Sequence, residues 1–146
     1  PFIIMNIRHK KSEKGFLQVL LDHALKNWIT ISQYDILGNQ IIGISETSNT
    51  VLHLRRRNNE DQIIKVDFAQ IDRCYTNRPT RGSVDGNYST TERIELRFTF
   101  RDKSKPETVF ELYNLEYDSM SMNGELQLSE KWQAIVNDGL KKRNKI

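Results

Sequence analysis

The carboxyl-terminal stretch from Asn123 to Lys145 constrains the fold most, because it reads as one amphipathic helix closing a chain otherwise patterned for strands. Leu128, Trp132, Ile135, Val136 and Leu140 fall at offsets that place their side chains on a single stripe. Gln127, Glu130, Lys131, Gln133, Asn137 and Asp138 lie between them and read as a solvated face. Asn123 is the expected N-cap, with Glu125 in the first turn. Lys141, Lys142 and Arg143 bring cations to the negative pole of the helix dipole. A stripe of this kind needs a sheet to cover.

The rest of the chain supplies one. After Ser12, a plausible cap, Phe16, Leu17, Leu20, Leu21, Ala24, Leu25 and Trp28 recur at helical spacing and predict a helix over 13–26. His23 lies beside that stripe and is expected at the surface or its boundary. From Trp28 the period changes to two. Ile29 and Ile31 alternate with Thr30 and Ser32, and Asp35 to Asn39, with Gly38, reads as a turn. Further strands are expected over 40–45, 50–57, 62–68 and 71–76, with Asn58 to Asp61 as a turn. The clearest alternation is Ile94, Leu96, Phe98 and Phe100 against Glu95, Arg97, Thr99 and Arg101. A last strand follows over 108–115. Between them, 77–91 has no hydrophobic period but contains Asp85-Gly86, a pair that favours a two-residue hairpin turn, so it reads as a protruding hairpin or a loop.

These elements predict a mainly β (α+β) fold: a seven-stranded antiparallel barrel or sandwich, capped by the carboxyl-terminal helix across an open end, with an extra helix at the amino-terminal side. No repeat or linker is visible, so 13–146 reads as one domain and 1–12 as an arm. The formal net charge is +3, but the excess sits at the ends, in residues 1–28 and 141–146, and the body between them is net acidic. That distribution disfavours a nucleic-acid reader, which carries positive charge on a face that tracks phosphates. The lone cysteine, Cys74, reads as a small buried residue in a strand. Phe2, Ile3, Ile4 and Met5 precede Arg8, His9, Lys10 and Lys11, apolar residues followed by cations, as at the cytoplasmic end of a membrane span. The order predicts either an edge strand or a membrane-proximal stub tethered from upstream of Pro1, with Arg8, Lys10 and Lys11 meeting an anionic surface on the cytoplasmic side.

The segment Glu130-Lys131-Trp132-Gln133-Ala134-Ile135-Val136 resembles the closing helix of the pleckstrin-homology-like family, where a tryptophan packs on the sheet. Ile64-Lys65-Val66-Asp67-Phe68-Ala69-Gln70-Ile71-Asp72-Arg73-Cys74 is similar to a strand-to-strand passage of bacterial members. The resemblance spans about 28–143 at the level of architecture and implies a binding domain. The family's inositide-binding members carry bases in the first inter-strand loop. Gln33 to Asn39 has none, so headgroup binding is not implied. A lipocalin-like barrel carrying a small ligand is the rival architecture.

No spacing of His9, His23, His53 and Cys74 matches a metal site, no glycine loop cradles phosphate, and no catalytic constellation is legible, so neither cofactor nor enzymatic activity is expected. The strongest local charge is Arg55-Arg56-Arg57. Strand alternation sends Arg55 and Arg57 to one face and Arg56 to the other. Together with Arg73, Arg78 and Arg81 they form a candidate patch for an anion or an acidic partner, with cross-strand pairing to Glu60, Asp61 and Glu95 as the structural alternative. Tyr75, Tyr88, Tyr113 and Tyr117 are candidates for an aromatic contact surface. The reading that follows is a non-catalytic domain that engages a protein or peptide through a sheet edge or the 77–91 segment, with anionic lipid binding as the alternative.

Overall fold

The computed structural model describes residues 5–8, 13–26, 30–82, 86, 88–118 and 124–144. They form ten strands and two α-helices: β1 (Met5–Arg8), α1 (Glu13–Lys26), β2 (Gln33–Leu37), β3 (Gln40–Ser45), β4 (Thr50–Arg57), β5 (Glu60–Asp67), β6 (Ile71–Asn77), β7 (Thr80–Gly82), β8 (Ser89–Thr91), β9 (Arg93–Phe100), β10 (Thr108–Asn114) and α2 (Glu125–Asn144). The fold is mainly β, as its alternation predicts. The expected seven strands become ten, in three antiparallel sheets, none of which closes into a barrel among the described residues. The chain groups into two compact units, Pro1–Gln70 and Ile71–Ile146.

The first unit is a five-stranded antiparallel sheet in the order β1-β5-β4-β3-β2. Its turns explain its register. Gly38-Asn39 joins β2 to β3 as a two-residue turn with Gly38 at φ +56°, the geometry that suits a glycine in the first central position. Asn58-Asn59 joins β4 to β5 with both residues left-handed, φ +53° and +62°, which asparagine tolerates and whose twist matches paired strands. Glu60 and Asp61, expected in that turn, already belong to β5. Val19 and Leu20 of α1 pack with Ile41, Leu52, Leu54 and Ile63 into one cluster on one sheet face, with Ile31 and Ile36 at its margin. Burying each of the two α1 side chains contributes about 1.5 to 3 kcal/mol.

Two further expectations change in this unit, and one open alternative is decided. The strand expected from Trp28 to Ser32 lies later, at Gln33–Leu37, the segment read as turn and inter-strand loop. The Gly38-Asn39 turn needs only two residues, so Asp35 to Leu37 stay in the ladder. Leu21, expected on the buried stripe of α1, is 39% exposed, whereas His23, expected near the surface, is buried, so the inward face is rotated toward Val19, Leu20 and His23. Of the arm 1–12, Met5–Arg8 is described, and it forms an edge strand paired with β5 from Met5↔Ile63 to Arg8↔Glu60. Lys10 and Lys11 lie outside the described residues. No helix among those described is long and apolar enough to cross a membrane.

In the second unit β6, β9 and β10 form a sheet in the order β10-β9-β6, and β7 and β8 form a separate hairpin. Ile94, Leu96, Phe98 and Phe100 are buried along one face of β9, as their alternation predicts, and Phe98 meets Phe110 edge to face at 4.6 Å. Within 77–91, β7 and β8 pair antiparallel as a hairpin requires, Gly82 opposite Ser89; Gly86 lies at φ +75°, and Asp85, of the expected turn, is outside the described residues.

α2 buries Leu128, Trp132, Val136 and Leu140, with Ile135 half-buried, against β6 chiefly and β9 and β10 behind it. Its N-cap is Gly124, φ +105°, whose carbonyl accepts from Leu128 N at 2.9 Å; Asn123, the expected cap, lies outside the described residues.

The polar side of α2 corrects the sequence reading. Asn137 Nδ2 donates to Cys74 O (2.8 Å) while its Oδ1 accepts from Cys74 N (3.1 Å). Thr76 N donates to Gln133 Oε1 (2.8 Å), and the Thr76 and Ser129 hydroxyls lie 2.7 Å apart. Gln133 and Asn137 thus satisfy main-chain groups of β6 as a further strand would, and Ser129, one turn earlier, meets the Thr76 side chain. Gln133 and Asn137 are half-buried rather than solvated.

Candidate functional site

The sheet of the first unit ends at β1 on one side and at β2 on the other, with no described strand beyond either. Which main-chain groups of β2 point outward follows from the ladder. Arg56 N donates to Asn39 O at 2.8 Å, so Asn39 faces β4. With a period of two, Ile41 and Gly43 also turn their main-chain groups to β4, and Gln40 and Ile42 turn theirs to β2. Their register partners, Leu37 and Asp35, face back toward them. Tyr34 and Ile36 therefore direct N–H and C=O out of the sheet. The ring of Tyr34 is 44% exposed beside this edge. β2 contains no proline or lysine, the devices that commonly blunt an edge. Sequence reasoning missed Tyr34 because its strand was read as a turn.

The arginines singled out from the sequence are divided. Arg55 and Arg57 lie on β4 with half-buried side chains, and Arg55 Nη2 donates to Gln62 Oε1 at 2.8 Å. Arg56 points to the other face, as alternation predicts, and grips the fully buried Asp61 with Nε (2.6 Å) and Nη2 (2.9 Å). In the second unit Arg73 lies over the Tyr75 ring at 4.9 Å, a cation–π contact. Arg78 Nε donates to Thr91 Oγ1 (2.9 Å) and Arg81 Nε to Glu92 Oε1 (2.8 Å). Of the five arginines of the candidate patch, Arg81 pairs with an acid, Arg55 and Arg78 bond neutral side chains, and Arg73 stacks on a tyrosine of its own strand. Among the tyrosines, Tyr113 is buried, Tyr75 is half-buried, and Tyr88 and Tyr117 are 68% and 60% exposed.

Arg81 lines a cleft of about 310 Å³ with Glu92, Arg93, Asn114, Leu115 and Glu116. Main-chain bonds hold its walls: Glu92 N donates to Pro79 O, and Leu115 N donates to Glu92 O, each at 2.9 Å. The turn after β10 is fixed from both sides, Asn114 N donating to Asp118 Oδ2 (2.8 Å) and Glu116 N to Asn114 Oδ1 (2.9 Å). Arg93 is braced through Nε, 3.4 Å from Glu95 Oε2. Glu95, 5% exposed on the outer face of the sheet, also accepts from Asn77 Nδ2 (2.7 Å) and Arg97 Nε (3.0 Å). Two hydrogen-bond donors and the nearby Arg93 cation on one buried carboxylate offset its desolvation. Arg93 escaped the sequence reading because only the fold brings it beside Arg81.

The buried histidines and the cysteine are held neutral. His53, 1% exposed, has Nε2 2.9 Å from Gln40 Oε1; burial first, then Arg55 and Arg57, hold its pKa well below the usual imidazole value. Burial, Lys65 and Lys26 lower that of His23. Burial pushes the Cys74 thiol up, so it remains protonated. Among the described residues no group of three or more His, Cys, Asp or Glu side chains is placed to hold a metal ion. No protein-family model matches the chain, and comparison with curated proteins and with solved structures finds no match.

Proposed function

We propose that this chain is a non-catalytic binding domain of pleckstrin-homology-like architecture, engaging a protein or peptide partner that adds as a strand to the open edge of β2. The order of elements supports the architecture: β2 to β5 run as a four-strand antiparallel meander, β6, β9 and β10 as a three-strand one, and α2 follows. The observation that carries the function is the outward pair of peptide units at Tyr34 and Ile36. A partner strand satisfies both N–H and both C=O groups through main-chain bonds, and the Tyr34 ring supplies contact area beside them. Recognition of this kind needs no diagnostic side-chain motif, in keeping with a sequence that displays none. The apolar-then-basic order of residues 2–11 supports a site of action beside the cytoplasmic face of a membrane.

Tyr34→Pro tests the edge. The replaced N–H points out of the sheet, so the ladder to β3 keeps its bonds, and proline is tolerated at such positions. Selection of random decapeptides displayed on phage against the native chain is expected to enrich binders that lose tenfold or more in affinity for Tyr34→Pro. Failure to enrich any binder, or equal affinity for the folded Tyr34→Pro variant, would overturn the proposal.

A further inference from the structure

The cleft beside β9 has a chemistry of its own. Arg81 is anchored by a hydrogen bond from Nε to Glu92 at 2.8 Å, and Arg93 is held more loosely by an ion pair from Nε to Glu95 at 3.4 Å. An arginine braced in this way presents its two Nη groups as a fork of N–H donors, the geometry that meets a carboxylate bidentately. Among the described residues those forks meet no protein acceptor, and the carboxylate of Glu116 meets no protein donor. Leu115 adds apolar surface to the lining. The cleft thus offers donors for a negative pole, an acceptor for a positive pole and apolar surface, in about 310 Å³, at the small end of ligand pockets. Glu92 and Glu116 disfavour a ligand carrying two or more negative charges, such as phosphate, through like-charge repulsion.

From this arrangement we infer that the cleft binds a zwitterion with a free α-carboxylate, an amino acid or short peptide: the carboxylate on the Nη forks of Arg81 and Arg93, the ammonium toward Glu116. The site lies in the second unit, and its test reads residues distant in sequence from β2, so it stands or falls independently of strand addition there.

The test is titration of the full-length, ¹⁵N-labelled chain with glycyl-leucine, following the amide signals of Asn114, Leu115 and Glu116. Saturable shifts in the millimolar range or tighter are expected, at least tenfold weaker with glycyl-leucine amide and a few-fold weaker with the N-acetyl dipeptide. Free leucine, run in parallel, distinguishes an amino-acid ligand from a peptide one. Arg93→Gln and Arg81→Gln should each weaken binding tenfold or more. The Arg81 side chain is 70% exposed, so its replacement leaves the fold intact and keeps the test decisive if Arg93→Gln unfolds. Glu116→Gln should weaken the dipeptide but not its N-acetyl derivative. The inference is overturned if no saturable shift occurs, if the amide binds as well as the acid, if inorganic phosphate binds more tightly than the dipeptide, or if Arg81→Gln binds as the native chain does.

Discussion

One carboxamide, that of Asn137, satisfies both main-chain groups of Cys74, a pair that would otherwise lie along an incomplete strand edge. Asn137→Ala removes both bonds without altering the apolar stripe of α2. Leaving such groups unsatisfied costs about 1 to 3 kcal/mol each, so chemical denaturation followed by tryptophan fluorescence should show a loss of at least that size. A loss below about 0.5 kcal/mol would mean that the edge finds other partners. His53 sets a second residue-level expectation. Its folded pKa lies below the unfolded value of about 6.5, so the unfolded chain binds more protons as pH falls through that value. Stability is therefore full above about pH 6.5 and declines below it, by up to about 1.4 kcal/mol per pH unit for this group, until the folded pKa is reached. His23 acts in the same direction. His53→Gln, which keeps an amide opposite Gln40, should flatten the dependence of urea midpoints between pH 7 and 5; an unchanged slope would contradict this.

At the level of elements, what the sequence disclosed follows the strength of its periodicity. α1 occupies 13–26 as predicted, and β3, β4, β6, β9 and β10 lie where apolar and polar residues alternate, because one buried face fixes the register of a strand. β2 was displaced because Ile29 and Ile31 alternate more visibly than Tyr34 and Ile36, and because Asp35, Gly38 and Asn39 are turn formers of which only the last two turn. β7 and β8 are short, polar pairs with no core face to pattern them. Gln133 and Asn137 looked solvated since a helical wheel cannot show that a polar row meets a strand edge. Their spacing of four with Ser129 was the available signal. The cleft was half legible: Arg81 stood out from the sequence, but Arg93 looked like one more outward residue of a strand, and its partnership with Arg81 exists only once β7, β9 and the turn after β10 are assembled.

Over the whole molecule, the two units complete their edges differently. In the second, α2 supplies the bonds that β6 lacks, whereas in the first the sheet ends at β2 with two peptide units turned outward. Among the sheet-ending strands β1, β2 and β10, β2 is the one with the exposed Tyr34 beside its outward peptide units, and on that edge the proposed function rests. Its most direct test is residue-resolved amide hydrogen exchange of the native chain, alone and with a decapeptide selected against it. The account predicts that Tyr34 and Ile36 exchange at least tenfold faster than Asp35 and Leu37 in the free protein and become protected when the peptide binds. Equal protection of all four amides in the free chain, or exchange at Tyr34 and Ile36 that the bound peptide leaves unchanged, would contradict it.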